Sequence, residues 1–321
     1  MRSRTIRTKS PGHSAARIRM ALVALMAPLA LTALAAGAAA QATGQGQQQQ
    51  PGAATSAPDR APWSVGHVLR VCADPDNLPF TDKDGKGFDN AIAAMLAEEF
   101  GDTLTYVWWP ARRGFIRNTL RARECDLVIG VPTEYDPVLP TKPYYRSTYY
   151  LVTRADRKLD IKTLDDPRLK KLKIGVNLIG EDYEHTPPVH ALLARGISAN
   201  VTGFMSYYGE DYRPGEIIKA LERGDIDVAI AWGPLAGYFA KQSTVPMVLV
   251  PLPNDKPSGR QFEFSVSLGV RRSDKDLRAR LDEILERRRA DVERILREYN
   301  VPTIPASAPG TADKSADGRR E

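Results

Sequence analysis

Between about residues 65 and 305, short apolar runs alternate with segments whose apolar residues recur at helical spacing. That alternation restricts the chain to an α/β fold built on largely parallel strands. Val68–Ala73 (VLRVCA) reads as a strand that stops at Asp74-Pro75. Ile92, Met95, Leu96 and Phe100 mark a helix over 88–100, ended by Gly101. A strand over 103–108, a helix over 113–123 with Phe115, Ile116 and Leu120 inward, and a buried strand over 126–131 (DLVIGV) complete one βαβαβ unit.

An extended stretch over 145–153 leads into a second series. Strands are predicted at 173–177, 201–204, 227–232 and 247–251, with helices near 190–195 and 216–222. A second extended stretch, 262–271, precedes one long helix over 274–299. Leu277, Leu281, Ile284, Leu285, Val292, Ile295, Leu296 and Tyr299 share one face of it, and Arg287, Arg288 and Arg289 are expected to face solvent. Two such series joined by two long connections predict two α/β lobes linked by two hinge strands. Residues 65–152 with 263–305 form the first, and 153–262 form the second, inserted one. A cleft is expected between them at the carboxyl ends of the strands, where hinge closure can trap a ligand.

The pI of 9.2 does not indicate a nucleic-acid binder. Residues 1–40 hold six cations and no acid, which accounts for the whole formal net charge of +6. That stretch has the three parts of a secretory signal: a cationic start to Arg19, an apolar run over 20–34, and an A-x-A site at Ala38-Ala39-Ala40. A periplasmic location and no membrane span after cleavage are expected. Residues 41–64 read as a disordered linker and 306–321 as a disordered tail.

Val71 to Phe80 (VCADPDNLPF), Gly87 to Asn90 (GFDN), Asp126 to Pro132 (DLVIGVP), Pro143 to Tyr149 (PYYRSTY) and Asp225 to Tyr238 (DIDVAIAWGPLAGY) resemble the type II periplasmic solute-binding proteins. More narrowly, Trp108 to Phe115 (WWPARRGF), ECD at 124–126, DDPRL at 165–169, Thr186-Pro187-Pro188 and YNVP at 299–302 resemble the MxaJ/XoxJ group. The resemblance implies a binding protein that assists a dehydrogenase dependent on pyrroloquinoline quinone (PQQ) and acting on methanol or another alcohol. Two departures matter. Amino-acid binders of the general family carry an Arg after the third strand, where this chain has Pro132-Thr133-Glu134-Tyr135. They commonly carry an Asp after a second-lobe strand, where it has Trp232-Gly233-Pro234. A free amino acid buried without either charge would leave its zwitterion unpaired.

Candidate cleft residues follow from strand ends and from guanidinium and aromatic groups. They are Asp74, Asn77, Phe80 and Phe88; Trp109, Arg112 and Arg113; Pro132 and Thr133; Tyr144, Tyr145 and Arg146; Glu181 and Asp182; and Trp232. Arg112 and Arg113 suit the carboxylates of PQQ or an acidic protein surface, while no tightly bound cofactor of the chain's own is expected. Asp82-Lys83-Asp84-Gly85 is a turn rather than a calcium loop, since the later ligands are missing. Cys72 and Cys125 are free to form a disulfide in the periplasm, although the predicted strand offset leaves that open. His185 and His190 are five apart, and no nucleophile motif or nucleotide loop is present, so the chain reads as a binding protein and not an enzyme. An ABC-importer subunit for a small molecule other than a free amino acid, and an enzyme on the same fold, stand as alternatives.

Overall fold

The computed structural model describes residues 68–179, 184–205 and 215–305. The expected signal, linker and tail lie outside them. The strands are β1 (Val68–Ala73), β2 (Thr103–Trp108), β3 (Leu127–Pro132), β4 (Tyr145–Ser147), β5 (Tyr149–Arg154), β6 (Ile174–Ile179), β7 (Val201–Met205), β8 (Val228–Trp232), β9 (Met247–Pro251) and β10 (Phe264–Val270). The helices are α1 (Phe88–Phe100), α2 (Phe115–Asn118), α3 (Pro187–Ala194), α4 (Glu216–Arg223), α5 (Gly233–Gln242), α6 (Lys275–Arg287) and α7 (Arg289–Glu298).

One sheet runs β2-β1-β3-β10, with β4 and the short strand Leu139–Pro140 also paired to β10. β1 is parallel to both neighbours, whereas β10 returns antiparallel. The second sheet runs β6-β8-β5-β9, with β7 parallel to β6. Both faces of each sheet are covered, which is why the central strands are apolar without a strict alternation. In β8, Val228 and Ile230 enter the core under α3, while Ala229 and Ala231 pack with α4 and α5. In the first sheet, Leu69, Val71, Leu127 and Ile129 pack with α1, α6 and α7.

The chain leaves the first sheet after Ser147 and enters the second at Tyr149, so the lobes divide at Thr148 rather than at Val152. It returns between Leu252 and Phe264. Thr148 links the two crossings: its hydroxyl donates to the Leu252 carbonyl, and its own carbonyl accepts from Gly233 N at 2.9 Å. The residues after α7 add a third tie. Asn300 Nδ2 donates to the Gly237 carbonyl of α5 at 2.7 Å, and Ser147 Oγ donates to the Pro302 carbonyl at 2.7 Å. Gly237 permits this approach, because a Cβ there would fall 2.1 Å from the Asn300 carbonyl oxygen.

Three sequence expectations are corrected here. The C-terminal helix is two helices, broken at Arg288 (φ −98°, ψ 19°), and the arginine run does not simply face water. Arg287 and Arg288 both pair with Glu99, so they clamp the last turn of α1, with Arg288 at 2.7 Å. The helix expected over 113–123 is helical only through the short α2. The cysteines do form a disulfide. Cys72 and Cys125 lie with Cα atoms 5.5 Å apart, because Asp126 N donates to the Arg70 carbonyl and draws the start of β3 against β1.

The bridge closes a sequence separation of 53, which in the chain-entropy view stabilises by about 4 kcal/mol. Replacing both cysteines with alanine should lower the unfolding free energy by about that amount. Guanidinium titration is the check, and a loss under about 1 kcal/mol would contradict the loop-closure account.

Candidate functional site

A cleft of about 1200 Å³ lies between the lobes at the carboxyl ends of β1, β3, β6 and β8. Its hinge wall is aromatic, formed by Tyr145, Tyr149, Trp232 and Phe264. The Trp232 ring meets Tyr149 at 5.4 Å and Phe264 at 5.9 Å between centroids, both near edge-to-face. Such rings hold each other rigid and give a broad apolar contact surface. The first-lobe side carries Asp74, Asn77, Phe80, Pro132 and four arginines, Arg112, Arg113, Arg117 and Arg121. The second-lobe side carries Asn177, Thr186, Pro187 and Leu235.

Asp74 is committed to its own loop. One carboxylate oxygen accepts from Asp76 N at 2.9 Å and the other from Ala111 N at 2.6 Å. Burial raises its pKa, and those two amide donors oppose the rise. The carboxylate therefore fixes the loop after β1 against the segment that bears Arg112 and Arg113. Asn177 contributes a buried acceptor: its Oδ1 has no hydrogen-bond partner among the described residues.

Asp89 was not singled out by the sequence reading, yet it lines the cleft and is buried. Its carboxyl receives a hydrogen bond from the Tyr144 hydroxyl at 3.3 Å. It lies so close to β3 that a Cβ on Gly130 would sit 2.7 Å from its Oδ2, and Gly130 also has φ +78°. Burial pushes its pKa up to about 8, and the tyrosine bond only partly opposes this. The glycine within the apolar run of DLVIGVP was the available signal, since a glycine inside a strand marks a close approach.

Asp74, Asn77, Phe80, Arg112, Arg113, Pro132, Tyr145 and Trp232 thus meet at one cavity, and Cys72 reaches its edge. The other expected residues that the structure describes do not line it. Phe88 is fully buried in the first-lobe core, 5.4 Å from the Phe80 ring. Trp109 is 38% exposed on the surface, and it is Trp108 that stacks on Tyr106. Thr133 spends its hydroxyl on Ser267 at 2.7 Å, and Tyr144 spends its own on Asp89. Arg146 braces the crossing, bonded to Glu263 at 3.2 Å and to the Pro305 carbonyl. Glu181 and Asp182 lie outside the described residues. Tyr135 and Trp232, which the sequence reading set against the charged anchors of amino-acid binders, both line the cavity.

The family model of bacterial extracellular solute-binding proteins, family 3, matches residues 69–301. Protein MoxJ of Methylorubrum extorquens is 34% identical over 303 residues, covering 91% of this chain and 97% of that protein. Protein MoxJ of Paracoccus denitrificans is 29% identical, over 74% of this chain and 90% of that protein. Among solved structures, the periplasmic binding protein XoxJ from Methylobacterium extorquens AM1 is 41% identical with a TM-score of 0.61, covering 74% of this chain and all (100%) of that one. MxaJ from Methlophaga aminisulfidivorans MPT is 25% identical with a TM-score of 0.64, at the same coverage.

The buried Asp89 predicts a pH dependence of stability. The folded state keeps a proton that the unfolded chain releases near pH 4, so stability falls as pH rises from there to about 8 and then levels. The slope approaches about 1.4 kcal/mol per pH unit at most. Asp89→Asn should flatten this interval in denaturant titrations run from pH 5 to 8. A variant profile parallel to that of the parent protein would show that Asp89 is ionised in the fold.

Proposed function

The chain belongs to the bacterial extracellular solute-binding proteins, family 3, and from that premise we propose that it is a periplasmic accessory protein of a PQQ-dependent methanol or alcohol dehydrogenase. It docks on that enzyme during assembly or activation and offers its cleft to a segment of the partner. PQQ remains with the enzyme in this reading, and the chain performs no turnover of its own. The observation that carries the proposal is the replacement of both amino-acid anchors by aromatic side chains, Tyr135 and Trp232, in a cavity of about 1200 Å³. That volume exceeds the usual range for small-molecule sites, about 300–1,000 Å³. The aromatic hinge wall suits the side chains of a polypeptide, and among the described residues no second-lobe carboxylate lines the cleft to hold the ammonium of a zwitterion. The similarity to MoxJ, XoxJ and MxaJ, which includes full coverage of both solved relatives, supports the dehydrogenase link.

Tagged mature protein should retain a quinoprotein dehydrogenase from the periplasm of its own cells, identified by mass spectrometry. Deletion of the gene should lower that enzyme's activity. Absence of the dehydrogenase from the retained fraction, together with intact activity after deletion, would contradict the proposal. A small solute that raises the melting temperature strongly would favour an importer subunit instead.

A further inference from the structure

The docking reading leaves the charge of the cleft unexplained. Arg112, Arg113, Arg117 and Arg121 all line it from the first lobe and are exposed. The chain from Thr103 to Arg123 contains no acidic residue after Asp102 and before Glu124. Arg117 donates to the Asn118 side-chain oxygen at 3.5 Å and Arg121 to the Pro137 carbonyl at 3.3 Å, neither of them a carboxylate. The carboxyls in the same lining, Asp74 and Asp89, are buried, and burial raises the pKa of both. Among the described residues, those that line the cleft from the second lobe carry no formal charge. A cleft lined this way attracts anions, and its low-dielectric walls focus the field.

Two further observations separate an extended ligand from a compact one. A second cavity of about 320 Å³ shares Arg121 and Pro137 with the cleft and adds Arg123, Arg271 and Arg272. The two cavities adjoin at Arg121, while Arg271 is held by Asp126 and Asp274 and Arg272 by Asp136. In the cleft itself, the buried Asn177 Oδ1, without a partner among the described residues, calls for an N–H donor. A polypeptide brings carboxylates and N–H groups together, whereas a small polycarboxylate brings acceptors alone.

We infer that the cleft takes an acidic polypeptide segment of the partner, with its carboxylates on Arg117 and Arg121 and its backbone continuing toward the side cavity. This rests on the docking reading and deepens it. The probe is a short fluorescein-labelled peptide of Glu-Gly-Tyr repeats, titrated with the mature protein by anisotropy at low salt. A Lys-Gly-Tyr peptide is the control. The acidic peptide should bind, the basic one should not, and affinity should fall as salt rises. Arg117→Glu with Arg121→Glu should weaken binding at least about tenfold at an unchanged melting temperature. Arg289→Glu with Arg294→Glu, on the exposed face of α7, should leave it unchanged.

Equal binding of the two peptides, no binding of the acidic one, or indifference to the cleft reversal would each overturn the inference. Displacement by citrate at a matched carboxylate concentration would overturn it in favour of a small polycarboxylate. If the reversed variant still retains the dehydrogenase as well as the parent protein does, the arginine assignment fails while the docking reading stands. If the parent protein never retains it, the docking reading fails first.

Discussion

The cleft depends on how tightly the two chain crossings are held. At Thr148 the polypeptide changes sheets within a single residue, and its hydroxyl and carbonyl tie the first crossing to the second and to the start of α5. Arg146, on the neighbouring strand, reaches Glu263 on the other crossing and the Pro305 carbonyl of the closing segment. With Asn300 on α5 and Ser147 on Pro302, the lobes are joined by three strands of chain, not two. Each added tie limits the relative motion of the lobes that hinge closure requires. Under the proposed docking role, that restraint would keep the cleft open to a partner.

The same hinge region sets the chemistry of the cavity. Tyr145 and Tyr149 flank the crossing, while Trp232 and Phe264 lie at the ends of the strands that meet there. Four rings therefore occupy the back wall, and the charge is displaced to the arginines of the first lobe. An apolar wall supplies non-directional affinity in proportion to the area covered, and exposed arginines select for sign and steer the approach. That division of labour differs from a site that grips one small zwitterion between opposed charges.

Much of the fold was legible. Parallel strands covered on both faces read as unbroken apolar runs, so β3 and β8 stood out, and the expected placement of the other strands followed from spacing. Several of the failures share a cause, which is that the deciding contact is distant in sequence. The arginine run looks solvated until Glu99, nearly two hundred positions away, is brought beside it. Helix α5 was missed because Trp232-Gly233-Pro234 resembles a turn, although proline in the first helical turn is favourable. For the cleft, strand ends located Asp74, Asn77, Pro132 and Trp232. Local pattern could not tell that Phe88 faces the core or that Arg146 braces a crossing. Asp89 is a cleft residue only because Gly130, forty-one positions later, leaves room for it.

Hydrogen exchange of this protein, alone and with the purified dehydrogenase, tests the central claim most directly. If the partner enters between the lobes, slowed exchange should appear on both sides of the cleft together, around Asn77 to Thr81, around Arg112 to Arg117, and near Thr186 and Trp232. Protection confined to the outer helices α6 and α7, with both walls of the cleft exchanging as before, would contradict it.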